Sequence, residues 1–262
     1  MSFVTSLWGL SENRYALKGV HCTKGNAIMI LKERTQPTPT DRFGAAGDKA
    51  ERQVAHYLAR SFGDTRDVLI LNDLRVMHDG EVAQIDHLLL HRSGMVIIES
   101  KSVSSELFVN RQGEFTRSYQ GKRSGMPSPI QQAKRQAALL RKLIDTNKST
   151  LLAKTFGLLQ QGFGNFPIEI VVAISDRGII KHQGKRPPEL LKADALTDRL
   201  QELVSHHKKG RGFAGLIRQT LSENKKEFEG AGLYNLKQAQ IELMAQFLLS
   251  CHVEPAPRTA GS

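Results

Sequence analysis

Three charged residues set among apolar ones carry the most specific chemistry in this chain. The stretch 84–101 reads QIDHLLLHRSGMVIIESK, in which Asp86 interrupts one apolar run and Glu99 and Lys101 close another. Two carboxylates on one face can share a divalent cation, with an ammonium beside them. The alternation on either side of Ser93-Gly94 predicts two strands joined by a tight turn. With Ser93-Gly94 as the loop, Arg92 pairs with Met95, Leu88 falls opposite Glu99 and Asp86 opposite Lys101. Side chains two residues apart share a sheet face, so Asp86, Glu99 and Lys101 project together. Asp86 and Glu99 become diagonal neighbours, about 7–8 Å apart at the backbone. A loop longer or shorter by one residue would put one strand's charges on the reverse face.

A cross-strand acid–lysine pair is also a common surface ion pair, worth little. Position argues against that reading. Glu99 and Lys101 end Met95-Val-Ile-Ile, a run that belongs in a core, and Asp86 sits between Ile85 and Leu88. Charges on core strands mark a functional site or a paired structural charge. His87 and His91 alternate onto the opposite face and read as structural or solvent-facing.

Two helices are placed to support the hairpin. Residues 44–62 have an apolar stripe of Val54, Ala55, Leu58 and Phe62, with Asp48 as a cap and Glu51 three places on. At about 100° per residue Glu51 falls inside that stripe, which aims a carboxylate inward, although a glutamate in a first turn also suits the helix dipole. Ser128-Pro129-Ile130-Gln131 opens the second helix with a serine cap, proline at the first position and glutamine at the third. Ile130, Ala133, Ala137, Leu140 and Ile144 form its stripe, and Gln132 flanks it near the N-terminus, within reach of a phosphate.

The other segments form the frame. Residues 67–76 read as a strand running into a turn at His78-Asp79-Gly80, and 106–109 and 114–119 as shorter strands. Residues 122–127 read as a basic loop, 168–174 as a core strand, 176–188 as a loop and 190–206 as an amphipathic helix. Residues 213–221 and 233–249 look helical and peripheral. Residues 1–40 are expected to be an extension and linker, 41–210 the core, 211–253 peripheral helices and 254–262 a disordered tail. Met29 would make a plausible start of its own, so residues 1–28 are expected to extend from an upstream start.

Composition narrows the function classes. The 262 residues are 40% hydrophobic and 24% charged, as in globular domains. Cys22 and Cys251 lie far apart, which excludes a disulfide framework or a cysteine metal site and suits a reducing cytoplasm. No apolar run approaches the ~20 residues of a membrane span. Net charge is +11, and residues 117–148 hold eight lysines and arginines against one acid, which favours a phosphate backbone as partner.

Gly47-Asp-Lys-Ala-Glu51, Gln84-Ile-Asp86-His87, Ile98-Glu99-Ser-Lys101 and Ser128-Pro129-Ile-Gln-Gln132 occur in an order that resembles the PD-(D/E)XK nuclease superfamily. More narrowly, they resemble the nuclease-related domain (NERD) family over roughly residues 29–150. The resemblance implies an α/β fold of restriction-endonuclease type, a mixed sheet flanked by helices, with extra C-terminal helices here. It implies Mg²⁺ or Mn²⁺ held by Asp86, Glu99 and the Ser100 backbone carbonyl, with Glu51 as an outer ligand. Lys101 would orient or activate the attacking water, and Gln132 would steady the water, the lysine or a phosphate. The implied activity is phosphodiester hydrolysis, with DNA as substrate and a helicase as a candidate protein partner. The competing reading is a nucleic-acid-binding or regulatory module that keeps the fold and cleaves poorly.

Overall fold

The computed structural model describes residues 30–34, 41–63, 65–152, 162–209 and 234–254. The first 28 residues, the helix expected at 213–221 and the tail beyond Glu254 lie outside the described residues.

A six-stranded mixed sheet forms the centre, in the order β1-β2-β3-β4-β8-β10. Its strands are β1 (Ile30–Lys32), β2 (Val68–His78), β3 (Glu81–His91), β4 (Gly94–Lys101), β8 (Ile168–Ile174) and β10 (Leu190–Lys192). The β2-β3-β4 meander is antiparallel, whereas β1 joins β2, β8 joins β4 and β10 joins β8 in parallel. A second sheet, β7-β6-β5-β9, is built from β5 (Glu106–Val109), β6 (Phe115–Tyr119), β7 (Lys122–Met126) and β9 (Ile179–His182).

Helices cover both faces of the central sheet, so β4 is buried on both sides and needs a continuous apolar run. On one face, Leu88, Leu90, Met95 and Ile97 pack with Ala133, Leu140 and Ile144 of α2 (Pro129–Thr146). Ile241, Met244 and Leu248 of α5 (Gln238–Ser250) join the same core. On the other face, Leu89, Val96 and Ile98 meet Val54, Leu58 and Phe62 of α1 (Arg42–Phe62) and Leu196 and Leu200 of α4 (Leu196–Lys209). A short α3 (Lys148–Leu151) follows α2. Each buried Leu, Ile or Val contributes about 1.5–3 kcal/mol of transfer free energy, so the alternation along β3 and β4 fixes their register.

Several expectations need correcting. Helix α1 starts earlier than predicted: Asp41 is the cap, accepting from Gly44 N at 2.7 Å, and Asp48 lies inside the helix. The basic loop at 122–127 is strand β7, paired to β6 through a two-residue turn in which Gln120 and Gly121 have φ of +50° and +76°. Residues 179–182, within the expected loop, form β9 beside β5. Leu190 and Leu191, expected in a helix, form an edge strand parallel to β8, and α4 begins only at Leu196. The last helix is not peripheral, because Ile241, Met244 and Leu248 are fully buried in the main core.

Candidate active site

The β3–β4 turn is not at Ser93-Gly94. His91 pairs with Gly94 and His87 with Ile98, so Arg92 and Ser93 make the loop. Gly94 starts β4 because of close packing. A Cβ there would stand 2.6 Å from His207 Nδ1 and 3.0 Å from the Pro167 carbonyl oxygen. The loop is clamped from outside: Arg92 Nε donates to Leu236 O at 2.7 Å, and Leu236 N donates to Arg92 O at 2.8 Å. Relative to the sequence reading, each partner moves by two residues. Continued one step, this register sets Asp86 opposite Glu99 instead of Lys101. An even shift keeps the three charges in phase along their strands, and Glu99 and Lys101 reach Gln136 and Gln132 of α2.

Glu99 is 1% exposed and fully engaged. Lys101 Nζ donates to its Oε1 at 2.5 Å, and Gln136 Nε2 donates to its Oε2 at 3.0 Å. Lys101 Nζ also reaches Gln132 Oε1 at 3.2 Å. Gln132 and Gln136 are one helical turn apart on α2, so a single face of that helix holds both the lysine and the glutamate. Gln131 keeps a capping role, its N–H donating to Ser128 Oγ at 3.3 Å.

Asp86 is part-buried and accepts a hydrogen bond from Ser100 N at 2.8 Å. In a strand the N–H and C=O of one residue point to the same side, so the Ser100 carbonyl also faces β3. Lys101 O points the other way and accepts from Ser175 N at 3.0 Å. Burial raises the Asp86 carboxyl well above its ordinary range, and the Glu99 and Glu51 carboxylates add to it, against the Ser100 N–H and Lys101.

Glu51 approaches from α1 and is held by Arg34, whose Nε donates to its Oε2 at 2.8 Å. Arg34 Nη1 lies 2.6 Å from Asp48 Oδ1 as well. Burial opposes the charge of Arg34, yet these two carboxylates keep its pKa raised. The expected inward Glu51 therefore sits near Asp86 but in an ion pair.

Sequence reasoning missed three residues here. Gln136 lies on the buried stripe of α2, three residues after Ala133 and four before Leu140, a spacing that could have exposed it. Arg34 gave no signal, because its partners lie 14 and 17 residues away across unpatterned chain. Asp73 follows Asn72, which pairs with His87, so it sits opposite Asp86 in β2; its φ is +51°, uncommon for a non-glycine in a strand. Gln84 Nε2 donates to Asp73 Oδ1 at 3.1 Å.

His87, His91 and His207 are wholly buried. His87 Nδ1 bonds Asn72 Oδ1 at 2.8 Å, and burial, helped by Arg34, lowers its pKa to about 3. His91 stacks on His207 with ring centroids 5.1 Å apart.

The donors suit a hard divalent cation. All are oxygens, and a dication would relieve the repulsion that raises the Asp86 carboxyl. Among the described residues no group of three or more His, Cys, Asp or Glu side chains is placed to hold a metal ion.

A mixed sheet flanked by helices, with Asp on one strand and Glu-x-Lys on the next, defines a nuclease-like α/β domain. Residues 46–175 match the family model of the nuclease-related domain. No curated protein and no solved structure matches the chain. Among the described residues no helix is long and apolar enough to cross a membrane.

Proposed function

We propose that this chain is a Mg²⁺- or Mn²⁺-dependent nuclease that hydrolyses phosphodiester bonds of DNA. One arrangement supports the reading: a buried Glu99 and a half-buried Lys101 lie 2.5 Å apart, and Asp86, bonded to Ser100 N, is close enough for both charges to act on its carboxyl. A structural ion pair needs neither the second carboxylate nor two glutamines that fix both partners.

Asp86, Glu99 and the Ser100 carbonyl would hold the cation, and Glu51, released from Arg34, would serve as an outer ligand. A divalent cation bound there supplies charge stabilisation on the phosphate and activation of a water. Lys101 directs its ammonium at the attacking water or a phosphate oxygen, where charge develops. Gln132 fixes the lysine, and Gln136 fixes Glu99. Arg34 keeps Glu51 beside the site in the metal-free protein. The two cysteines, far apart in sequence, support action in the cytoplasm.

The test is to incubate the protein with supercoiled plasmid and linear duplex in Mg²⁺, Mn²⁺ or EDTA. Cleavage in either metal and none in EDTA supports the reading. Binding without cleavage in any metal would favour the regulatory module, a reading supported by the hold of Arg34 on Glu51.

A further inference from the structure

A cavity of about 510 Å³ opens where β4 ends, beside the proposed site. Ser102, the residue after Lys101, forms part of its wall, with Ser104, Arg117, Tyr119, Lys122 and Ser124. We infer that it takes one unpaired nucleotide of the substrate strand, next to the phosphate presented to Lys101. The inference rests on the nuclease reading and adds the strandedness of the substrate.

The lining has the chemistry of a nucleotide. Arg117 and Lys122 can hold a phosphate, the serine hydroxyls suit sugar and base edges, and Tyr119 offers a face for stacking. No carboxylate lines the cavity among the described residues. The volume admits one nucleotide, as in enzymes that act on extruded or single-stranded bases, whereas a base pair would have to enter as two. The wall is well defined: Tyr119 pairs with Lys122 across the tight Gln120-Gly121 turn, which fixes both residues on the hairpin.

The surrounding charge agrees. Residues 106–126 and 177–186, which hold the second sheet and its loops, include eight lysines and arginines against two glutamates. Two of the four cations of helix α2 are engaged elsewhere. Arg141 donates to the carbonyls of Phe163, Gly164 and Phe166, and Lys134 lies 3.4 Å from Glu189. Cations of the second sheet are partly engaged as well, Lys181 lying 2.5 Å from Glu106 and Arg186 Nε donating to Leu190 O, and its advantage for a strand leaving the site is its larger number of cations, eight against four on α2.

The experiment is fluorescence anisotropy at fixed salt in EDTA, using the full chain and a labelled 15-nucleotide oligodeoxynucleotide, single-stranded or as blunt duplex. We expect the single strand to bind at least fivefold more tightly than the duplex. Arg117→Gln with Lys122→Gln should weaken single-strand binding about tenfold and erase the preference, and Tyr119→Leu should erase part of it. Circular dichroism establishes that each variant is folded, and Lys122→Gln alone, at an exposed position, serves if the double variant is not. Equal binding of both DNAs, or a preference that survives these changes, overturns the inference. Binding in EDTA needs no cleavage, so a protein that never cuts but shows this preference removes the nuclease reading and leaves the cavity assignment standing.

Discussion

Gln136 Nε2 lies 3.0 Å from Glu99 Oε2 and 2.5 Å from the Gln84 carbonyl oxygen, so one buried amide ties α2 to both strands of the β3–β4 hairpin. It fixes the carboxylate that Lys101 also grips, and it makes the packing of α2 part of the geometry of the site.

Replacing that amide should be costly in two ways. Gln136→Ala leaves a buried carboxylate oxygen and a carbonyl without their donor, which should lower stability by about 1–3 kcal/mol. Cleavage should fall with it, mainly in kcat, because Glu99 loses its orientation. Chemical denaturation read beside steady-state cleavage checks both effects; full activity at reduced stability would limit Gln136 to a structural role.

The Glu99–Lys101 pair separates stability from chemistry. Lys101→Met strands a buried carboxylate and should cost about 2–3 kcal/mol, less than a fully buried pair because 25% of the lysine side chain is exposed. Adding Glu99→Met should restore most of that stability while cleavage stays absent. Urea midpoints of the single and double variants test this directly.

His87 makes the fold sensitive to acid. Its pKa in the folded protein is about 3, whereas an unfolded histidine titrates near 6.5. The unfolded chain therefore gains a proton that the folded chain refuses, and stability falls as pH drops from about 6.5 toward 3. The slope approaches ~1.4 kcal/mol per pH unit. His87→Gln can still donate to Asn72 and should flatten the curve. Melting temperatures of both proteins between pH 7.5 and 5 supply the comparison.

Gly94 is a packing position. Gly94→Ala should destabilise by about 1–3 kcal/mol, because His207 and the Pro167 carbonyl leave no room for a methyl group. Gly125→Ala, with nothing within 4 Å of the added atom, should shift stability by less than ~0.5 kcal/mol. Thermal melts of the two variants check the contrast.

Much of this was legible because local pattern and tertiary demand agree. The apolar alternation of β3 and β4 and the Ser128-Pro129 start of α2 are strong short-range signals, and both elements formed as expected. The turn misled because Ser93-Gly94 looks like hairpin chemistry, while the glycine serves a close approach from α4 and the residue before β8. A register moved by an even number keeps the three charges in phase, whereas an odd shift would have separated them. Lys122–Met126 concealed a strand because its side chains are mostly exposed and carry no apolar period. Arg34 was invisible, since nothing local marks an arginine that will bridge two carboxylates of a later helix.

The most direct measurement is single-turnover cleavage of a labelled oligodeoxynucleotide in Mg²⁺ by the wild type, Asp86→Asn and Lys101→Met, with binding in EDTA measured on the same preparations. The site described here predicts that both variants bind DNA within about twofold of wild type and cleave at least ~10³-fold more slowly, a loss of about 4 kcal/mol in transition-state stabilisation. Wild-type cleavage by either purified variant would contradict it.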